Sequence, residues 1–141
     1  MKLRYSLTFS GTSNGTQNGC TDLPGALPLL LKQSGILQGG TGYLYKESQP
    51  QAQIFLAAAA DLGVFLGLTA GDTVYLSLGD ADALTDCVSI SDDDTQISRG
   101  LFIPAKIALP VIRFFAETGQ PDPAVTWISP EELPAEGSYI I

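Results

Sequence analysis

Four short strand-like segments follow one another between Gly42 and Gly79, with brief turns between them. Segments spaced about ten residues apart and joined by short turns are typical of an antiparallel meander. Two more strands, at 85–91 and 95–98, are predicted on either side of three consecutive aspartates. This succession constrains the fold more than any other feature, and it predicts a largely antiparallel sheet. The four segments of the meander are 43–45, 53–60, 63–68 and 73–78.

An N-terminal strand and one apolar helical pattern precede the meander. Residues 3–9 alternate apolar with polar side chains, which indicates a half-buried strand. A first helix is predicted to begin at Thr21 or Asp22 and to end near Gly35. Because an interior proline loses a backbone hydrogen bond, Pro28 favours a short or kinked helix. The side chains predicted to face inward from this helix are Leu27, Leu30 and Leu31.

A second helix and a final strand follow the meander. Gly119 is predicted to cap the helix, and Pro110 leaves two alternatives. The regular helix either begins near Leu109, or a longer helix is bent at the proline. Residues 124–129 are predicted to form the last strand. The predicted architecture is therefore α+β, a largely antiparallel sheet with two helices packed against it, most simply on one face. The apolar stripe of the second helix is predicted to be Ile107, Val111, Phe114 and Phe115.

Length and composition favour a single domain over residues 1–141. A chain with 45% hydrophobic and 16% charged residues can bury one core and is not disordered. We expect a mobile Gly/Ser/Asn-rich loop at 11–20 and a peripheral acidic tail at 130–141. The longest apolar run, 54–60, is far shorter than the roughly 20 residues of a membrane-spanning helix. Because residues 1–10 lack the apolar segment of a signal peptide, we expect a cytoplasmic protein without membrane contact.

The residues that many enzymes need are missing from the sequence. Without histidine, a Ser-His-Asp or Cys-His site cannot be built within this chain. Cys20 and Cys87 are predicted to be free thiols, since no secretion signal accompanies them. The glycine cluster at 39–42 is predicted to be a strand-entry loop, because no helix follows that could hold a phosphate. We therefore expect no catalysis, no cofactor and no bound metal.

Seven aspartates and no lysine or arginine lie between Asp72 and Asp94, in a chain of formal net charge −8. A calcium loop alternates its oxygen ligands around a glycine turn, a pattern that this segment lacks. Two interpretations stay open: a solvated loop that keeps an apolar protein in solution, or a surface that faces a basic partner. The acidity argues against direct nucleic-acid binding, since phosphate contacts need basic side chains. The partner-facing surface would consist of Asp80, Asp82, Asp86, Asp92, Asp93 and Asp94.

The second half of the chain carries motifs that resemble a known family. An apolar strand ends in Ile103-Pro104, a helix closes with Phe114-Phe115, and a Thr118-Gly119 pair precedes a proline and a strand carrying Trp127. The segment VYLSLGD, residues 74–80, lies upstream of them. Together these motifs resemble bacterial polymorphic-toxin immunity proteins, the first of the numbered Imm families. The resemblance covers roughly the last half of the chain.

The resemblance implies a small cytoplasmic protein that binds and neutralises a cognate toxin domain, commonly a nuclease or a nucleic-acid deaminase. Such toxins hold phosphates in basic active sites, which an acidic protein surface can find by electrostatic steering and block. Exposed aromatic residues would anchor the complex, and Tyr75 and Tyr43 are the candidates. Phe114, Phe115 and Trp127 are predicted to be core residues instead. The alternative function is a small-molecule-binding or enzymatic α+β domain with a pocket beneath the loop at 39–42.

Overall fold

A computed structural model describes residues 3–9, 15–21, 24–90 and 96–140. Within these ranges the chain forms two α-helices, α1 (Leu27–Ser34) and α2 (Ala105–Thr118). Neither is long and apolar enough to span a membrane. The strands are β1 (Leu3–Phe9), β2 (Gly15–Thr21), β3 (Gly39–Lys46), β4 (Gln49–Ala59), β5 (Gly63–Ala70), β6 (Thr73–Leu78), β7 (Cys87–Ser89), β8 (Gln96–Ser98), β9 (Phe102–Ile103) and β10 (Thr126–Ile128).

Eight strands form one antiparallel sheet in the order β10-β6-β5-β4-β3-β1-β2, with β9 paired to β5 beside β6. The remaining strands, β7 and β8, pair with each other in a small second sheet. The predicted meander corresponds to β3 through β6, and each consecutive pair is antiparallel. The predicted last strand is β10, which extends the sheet beyond β6. The α+β architecture predicted from the sequence is therefore confirmed.

The predicted mobile loop at 11–20 is wrong for residues 15–20. These residues belong to β2, which pairs with β1 from Leu3↔Thr21 to Phe9↔Gly15. Residues 11–14 lie outside the described ranges. The strand forms the end of the sheet, and its described side chains at 18, 20 and 21 are exposed or half-buried. Tyr5 covers Gly19 so closely that a Cβ on this glycine would overlap the tyrosine hydroxyl.

Helix α1 is short and begins later than predicted. Thr21 belongs to β2, and a 3-10 turn at Pro24–Ala26 precedes the helix. Pro28 lies in the first helical turn, where backbone N–H groups have no partner within the helix, so it interrupts no ladder. Leu27 and Leu31 are buried as predicted, whereas Leu30 is half-buried. The helix ends at Gly35, whose φ of 84° is the left-handed conformation typical of a glycine C-cap.

Helix α2 is one continuous element with Pro110 inside it, so a start near Leu109 is wrong. The proline removes a single backbone hydrogen bond, the one that would reach the Lys106 carbonyl. Val111 and Phe115 are buried as predicted, while Ile107 is 41% exposed and does not belong to the core stripe. Phe114 is half-buried, and Gly119 caps the helix with a φ of 72°. The buried side of α2 consists of Ala108, Leu109, Val111, Ile112, Phe115 and Ala116.

Each face of the sheet has its own apolar core. Both helices cover one face, as predicted, and the β7–β8 sheet covers part of the other. The helix-side core includes Leu3, Leu7, Leu44, Ile54, Leu56, Leu66 and Leu68 from the sheet with Leu27, Leu31, Ile112 and Phe115 from the helices. The second core consists of Phe55, Ala57, Phe65, Leu76, Ile90, Ile97, Leu101 and Phe102. The sheet is thus covered on both sides at its β4–β6 half.

Ser77 lies where β6 separates from β5 and β9 pairs with β5 instead. Its hydroxyl accepts a hydrogen bond from the Leu66 N–H at 3.0 Å and donates one to the Leu101 carbonyl at 2.7 Å. The side chain is 0% exposed. Alanine would leave the buried Leu66 N–H and Leu101 carbonyl without these hydrogen bonds, and water cannot reach them. We therefore expect Ser77→Ala to lower the free energy of unfolding by about 1–2 kcal/mol. Urea denaturation measures this loss, and Ser48→Ala, at an exposed turn, should change stability by less than about 0.5 kcal/mol.

Candidate partner-binding surface

The segment 79–86, which we call the acidic segment, leaves the end of β6 and carries three of the predicted site residues. Asp80, Asp82 and Asp86 are all exposed. A short 3-10 turn at Ala81–Ala83 shapes the segment, and Asp80 caps it by accepting the Asp82 N–H at 3.0 Å. The structure therefore brings these three aspartates together on one surface segment. The other predicted residues, Asp92, Asp93 and Asp94, lie outside the described ranges.

The backbone at 99–100 holds both ends of the acidic segment. At its start, the N–H groups of Gly79 and Asp80 both donate to the Gly100 carbonyl, at 2.7 and 3.0 Å. At its end, the Arg99 N–H donates to the Asp86 carbonyl at 2.7 Å. The approach is close enough to require glycine, since a Cβ on Gly79 would overlap the Phe102 carbonyl oxygen. The aspartates thus project from a fixed backbone.

The charges of the acidic segment are unevenly compensated. Asp86 forms an ion pair of 3.0 Å with Arg99, and both side chains are 54% exposed. An exposed pair of this kind is worth little to stability, but it reduces the negative potential beside Asp86. Within the described part of the chain, neither Asp80 nor Asp82 forms an ion pair. These two carboxylates consequently supply most of the uncompensated charge of the segment.

The acidic tail is attached to the rest of the fold at residues 133–138, although none of these residues is buried. Leu133 packs against the second core, and Ser138 exchanges two hydrogen bonds with Ser98, of 2.8 and 2.9 Å. The Cys87 thiol lies 3.4 Å from the Glu136 carbonyl oxygen, so the tail passes directly beside the end of the acidic segment. This docking adds Glu136, an exposed carboxylate, to the surface. The sequence signal for it is the apolar Leu133 between the acidic residues of the tail.

The structure does not bring Tyr75 together with the aspartates. Its neighbours in β6, Val74 and Leu76, face the second core, so Tyr75 points to the helix side. There it is half-buried, and its ring meets Trp127 edge-on at 6.5 Å. Tyr75 is thus neither freely exposed nor on the acidic side. Trp127 is half-buried as well and donates its indole N–H to the Asp122 carbonyl at 2.8 Å.

Tyr43 lies on the same face of the sheet as the layer that carries the acidic segment. It is 42% exposed, and its cross-strand partner Phe55 belongs to the second core. The two ring centroids are 5.1 Å apart. An aromatic row then continues inward, from Phe55 to Phe65 at 6.1 Å and from Phe65 to Phe102 at 6.5 Å. Tyr43 is therefore the exposed end of a rigid row of rings.

The loop that the alternative function places over a pocket is not formed. Residues 39–42 begin β3 rather than forming a loop, so that prediction is wrong. Gly42 abuts Leu7 so tightly that a Cβ would lie 2.6 Å from the leucine methyl group. Cys20 and Cys87 are free thiols, exposed and half-buried respectively. Among the described residues, no group of three cysteine, aspartate or glutamate side chains is arranged to hold a metal ion.

Comparisons with protein-family models, curated proteins and solved structures found no match to this chain. The resemblance to immunity proteins is thus carried by the sequence motifs alone. Several of their residues have structural roles: Ile103 and Phe115 are buried, and Gly119 ends α2. The fold defines an α+β protein whose antiparallel sheet has helices on one face. The layer that carries the acidic segment, which we call the acidic layer, covers part of the other face.

Proposed function

We propose that the chain is an immunity protein that binds a cognate toxin domain, a nuclease or nucleic-acid deaminase, and covers its basic active site. The protein acts in the cytoplasm by binding, without catalysis or a cofactor. One observation carries the proposal: the acidic segment projects exposed carboxylates from a backbone held at both ends by residues 99–100. A protein that recognises a basic surface needs this combination of fixed geometry and uncompensated charge.

Fixed carboxylates favour binding in two ways. Negative potential around Asp80, Asp82 and Glu136 attracts a basic partner and raises the rate of encounter, an effect that salt weakens. Because the backbone is already ordered, little conformational entropy is lost when the complex forms. The expected signature is an association rate constant that falls steeply as ionic strength rises.

Tyr43 replaces Tyr75 as the proposed anchor. A half-exposed tyrosine supported by buried rings can bury a large rigid area at low entropic cost. Its position on the acidic side allows one partner to contact both features. Hot-spot residues of interfaces are enriched in tyrosine for these reasons.

Neutralising the acidic segment tests the proposal. We expect the triple variant Asp80→Asn, Asp82→Asn and Asp86→Asn to slow association with the toxin domain encoded beside this gene by about tenfold at low salt. Asparagine at position 80 keeps the oxygen that caps the following turn, so the backbone should persist. Surface plasmon resonance at several salt concentrations measures both the rate and its salt dependence, which should become shallower.

The matched comparison removes three negative charges elsewhere, through Glu47→Gln, Asp61→Asn and Glu117→Gln. These residues are exposed, and none belongs to the acidic segment. If the two triple variants slow association equally, net charge and not this surface governs binding. If the wild-type protein does not bind or inhibit the toxin at all, the proposed function itself is wrong.

A further inference from the structure

A groove between the two helices lies on the side of the protein opposite the acidic layer. Its volume is about 450 Å³. Each helix and its leading turn contribute residues at positions i, i+3, i+4 and i+7, which lie on one side of a helix. Pro28 and Leu29 supply the apolar part from α1, and Leu109 and Pro110 supply it from α2. Leu29 is 58% exposed, which is high for a leucine.

The rim of this groove is basic, although the chain is strongly acidic. It carries Lys32 from α1 with Lys106 and Arg113 from α2. Arg113 is paired with Glu117 at 2.7 Å, which partly compensates its charge, and both side chains remain about half exposed. Lys32 and Lys106 form no ion pair with any described residue. A cluster of cations around apolar side chains, in a chain of net charge −8, selects for an anionic apolar ligand.

The cations lie at both ends of the groove. A Cβ placed on Gly25 would lie 3.5 Å from the Arg113 guanidinium, so the start of α1 meets the later part of α2. Lys32 is farthest along α1 from Gly25, and Lys106 is farthest along α2 from Arg113. Both lysines therefore lie toward the other end of the groove. Lys32 lies seven residues after Gly25, and Arg113 lies seven residues after Lys106. Each helix therefore lines about 10 Å of the groove. A ligand with a single acidic head group would use only one end.

We propose that this groove binds an amphipathic helix of a protein partner, with acidic residues on either side of an apolar pair. The pattern acid-x-x-apolar-apolar-x-x-acid matches the groove, since it places carboxylates about 10 Å apart with two apolar side chains between them. Helix-in-groove recognition of this kind relies on i, i+3, i+4 and i+7 side chains. The inference does not rest on the immunity function, because the groove and the acidic segment lie on opposite sides of the sheet.

Titration with a designed peptide tests the inference. The probe is an alanine-based helical peptide of about 18 residues that contains Glu-x-x-Leu-Leu-x-x-Glu. We expect the full chain to bind it with a Kd on the order of 10–100 μM, measured by fluorescence anisotropy. Lys106→Glu should weaken binding at least about tenfold, because the new carboxylate cancels the charge of Lys32 and leaves that end of the groove without net positive charge. The comparison variant Arg4→Glu makes the same change of charge on the opposite face of the sheet and should leave binding unchanged.

Several outcomes would overturn the inference. They are the absence of binding at millimolar peptide, equal binding of a peptide with lysine in place of both glutamates, and equal effects of the two charge reversals. Circular dichroism verifies that both variants fold. Binding to anionic phosphatidylglycerol vesicles but not to the peptide would assign the groove to a membrane surface instead. Self-association that Lys106→Glu abolishes, without peptide binding, would assign it to a second copy of the chain.

Discussion

Phe65→Ala is expected to lower the free energy of unfolding by about 3–5 kcal/mol. The phenylalanine is 0% exposed, and its ring meets Phe55 and Phe102 on the neighbouring strands. It belongs to the second core, in which the sheet packs against Ile90 and Ile97 of the layer that carries the acidic segment. Removing the ring leaves a cavity between the sheet and this layer, which the surrounding strands can fill only partly. Since folded domains are stable by only about 5–15 kcal/mol, the loss is a large share of the total. Urea denaturation measures it directly.

Phe115→Ala provides the comparison, because it removes an equally buried ring from the helix-side core. We expect a similar loss of global stability but a different pattern of hydrogen exchange. Phe65→Ala should speed exchange in β7, β8 and the acidic segment, whereas Phe115→Ala should speed it in α1 and α2. If both variants speed exchange in the same amides, the two cores do not open as separate units.

Local patterns predicted the framework of the fold because each strand and helix carries its own signal. The apolar runs of β4 and β5 and the turn at Gly71 identify a meander without reference to any other part of the chain. The same holds for α2, whose C-cap at Gly119 was predicted from the glycine and the prolines that follow it. Such signals depend on residues close in sequence, which is why they can be recognised without a structure.

Pairings between distant segments could not be predicted in this way. β2 has no apolar alternation, and only its register with β1 makes it a strand. The contact of Ser138 with Ser98 joins residues 40 positions apart and brings the acidic tail beside the acidic segment. Ile107 sits at helical spacing with the core residues yet points outward, since α2 buries the side that starts at Ala108. In each case the tertiary partner, and not the local sequence, decides the outcome.

Two groups of like charges lie on opposite sides of the sheet. On the side of the second core, Asp80, Asp82 and Glu136 are exposed, and none of them forms an ion pair with a described residue. On the helix side, Lys32, Lys106 and Arg113 surround the apolar groove. A partner with a basic active site and a partner with an acidic helix would therefore select opposite faces. Binding of one need not exclude the other, and the two surfaces can be tested by separate substitutions.

Gly79→Ala is expected to lower the free energy of unfolding by about 3 kcal/mol and to release the acidic segment. The new Cβ would overlap the Phe102 carbonyl oxygen, which is backbone and therefore cannot rotate away. The segment must shift, and the hydrogen bond of 2.7 Å from the Gly79 N–H to the Gly100 carbonyl lengthens or breaks. Thermal denaturation measures the loss of stability. Gly71→Ala is the matched substitution, since open space surrounds Gly71 and only its φ of 62° disfavours alanine, at about 1–2 kcal/mol.

The same variant separates the charge of the acidic segment from its geometry. Gly79→Ala leaves every carboxylate in place, so the electrostatic attraction of a basic partner and the association rate should change little. Once the segment is loose, it must be ordered again in the complex, and we expect dissociation to be about tenfold faster. Surface plasmon resonance below the denaturation temperature distinguishes the two rates. An unchanged dissociation rate would mean that the negative charge alone accounts for recognition, without the backbone hydrogen bonds to residues 99–100.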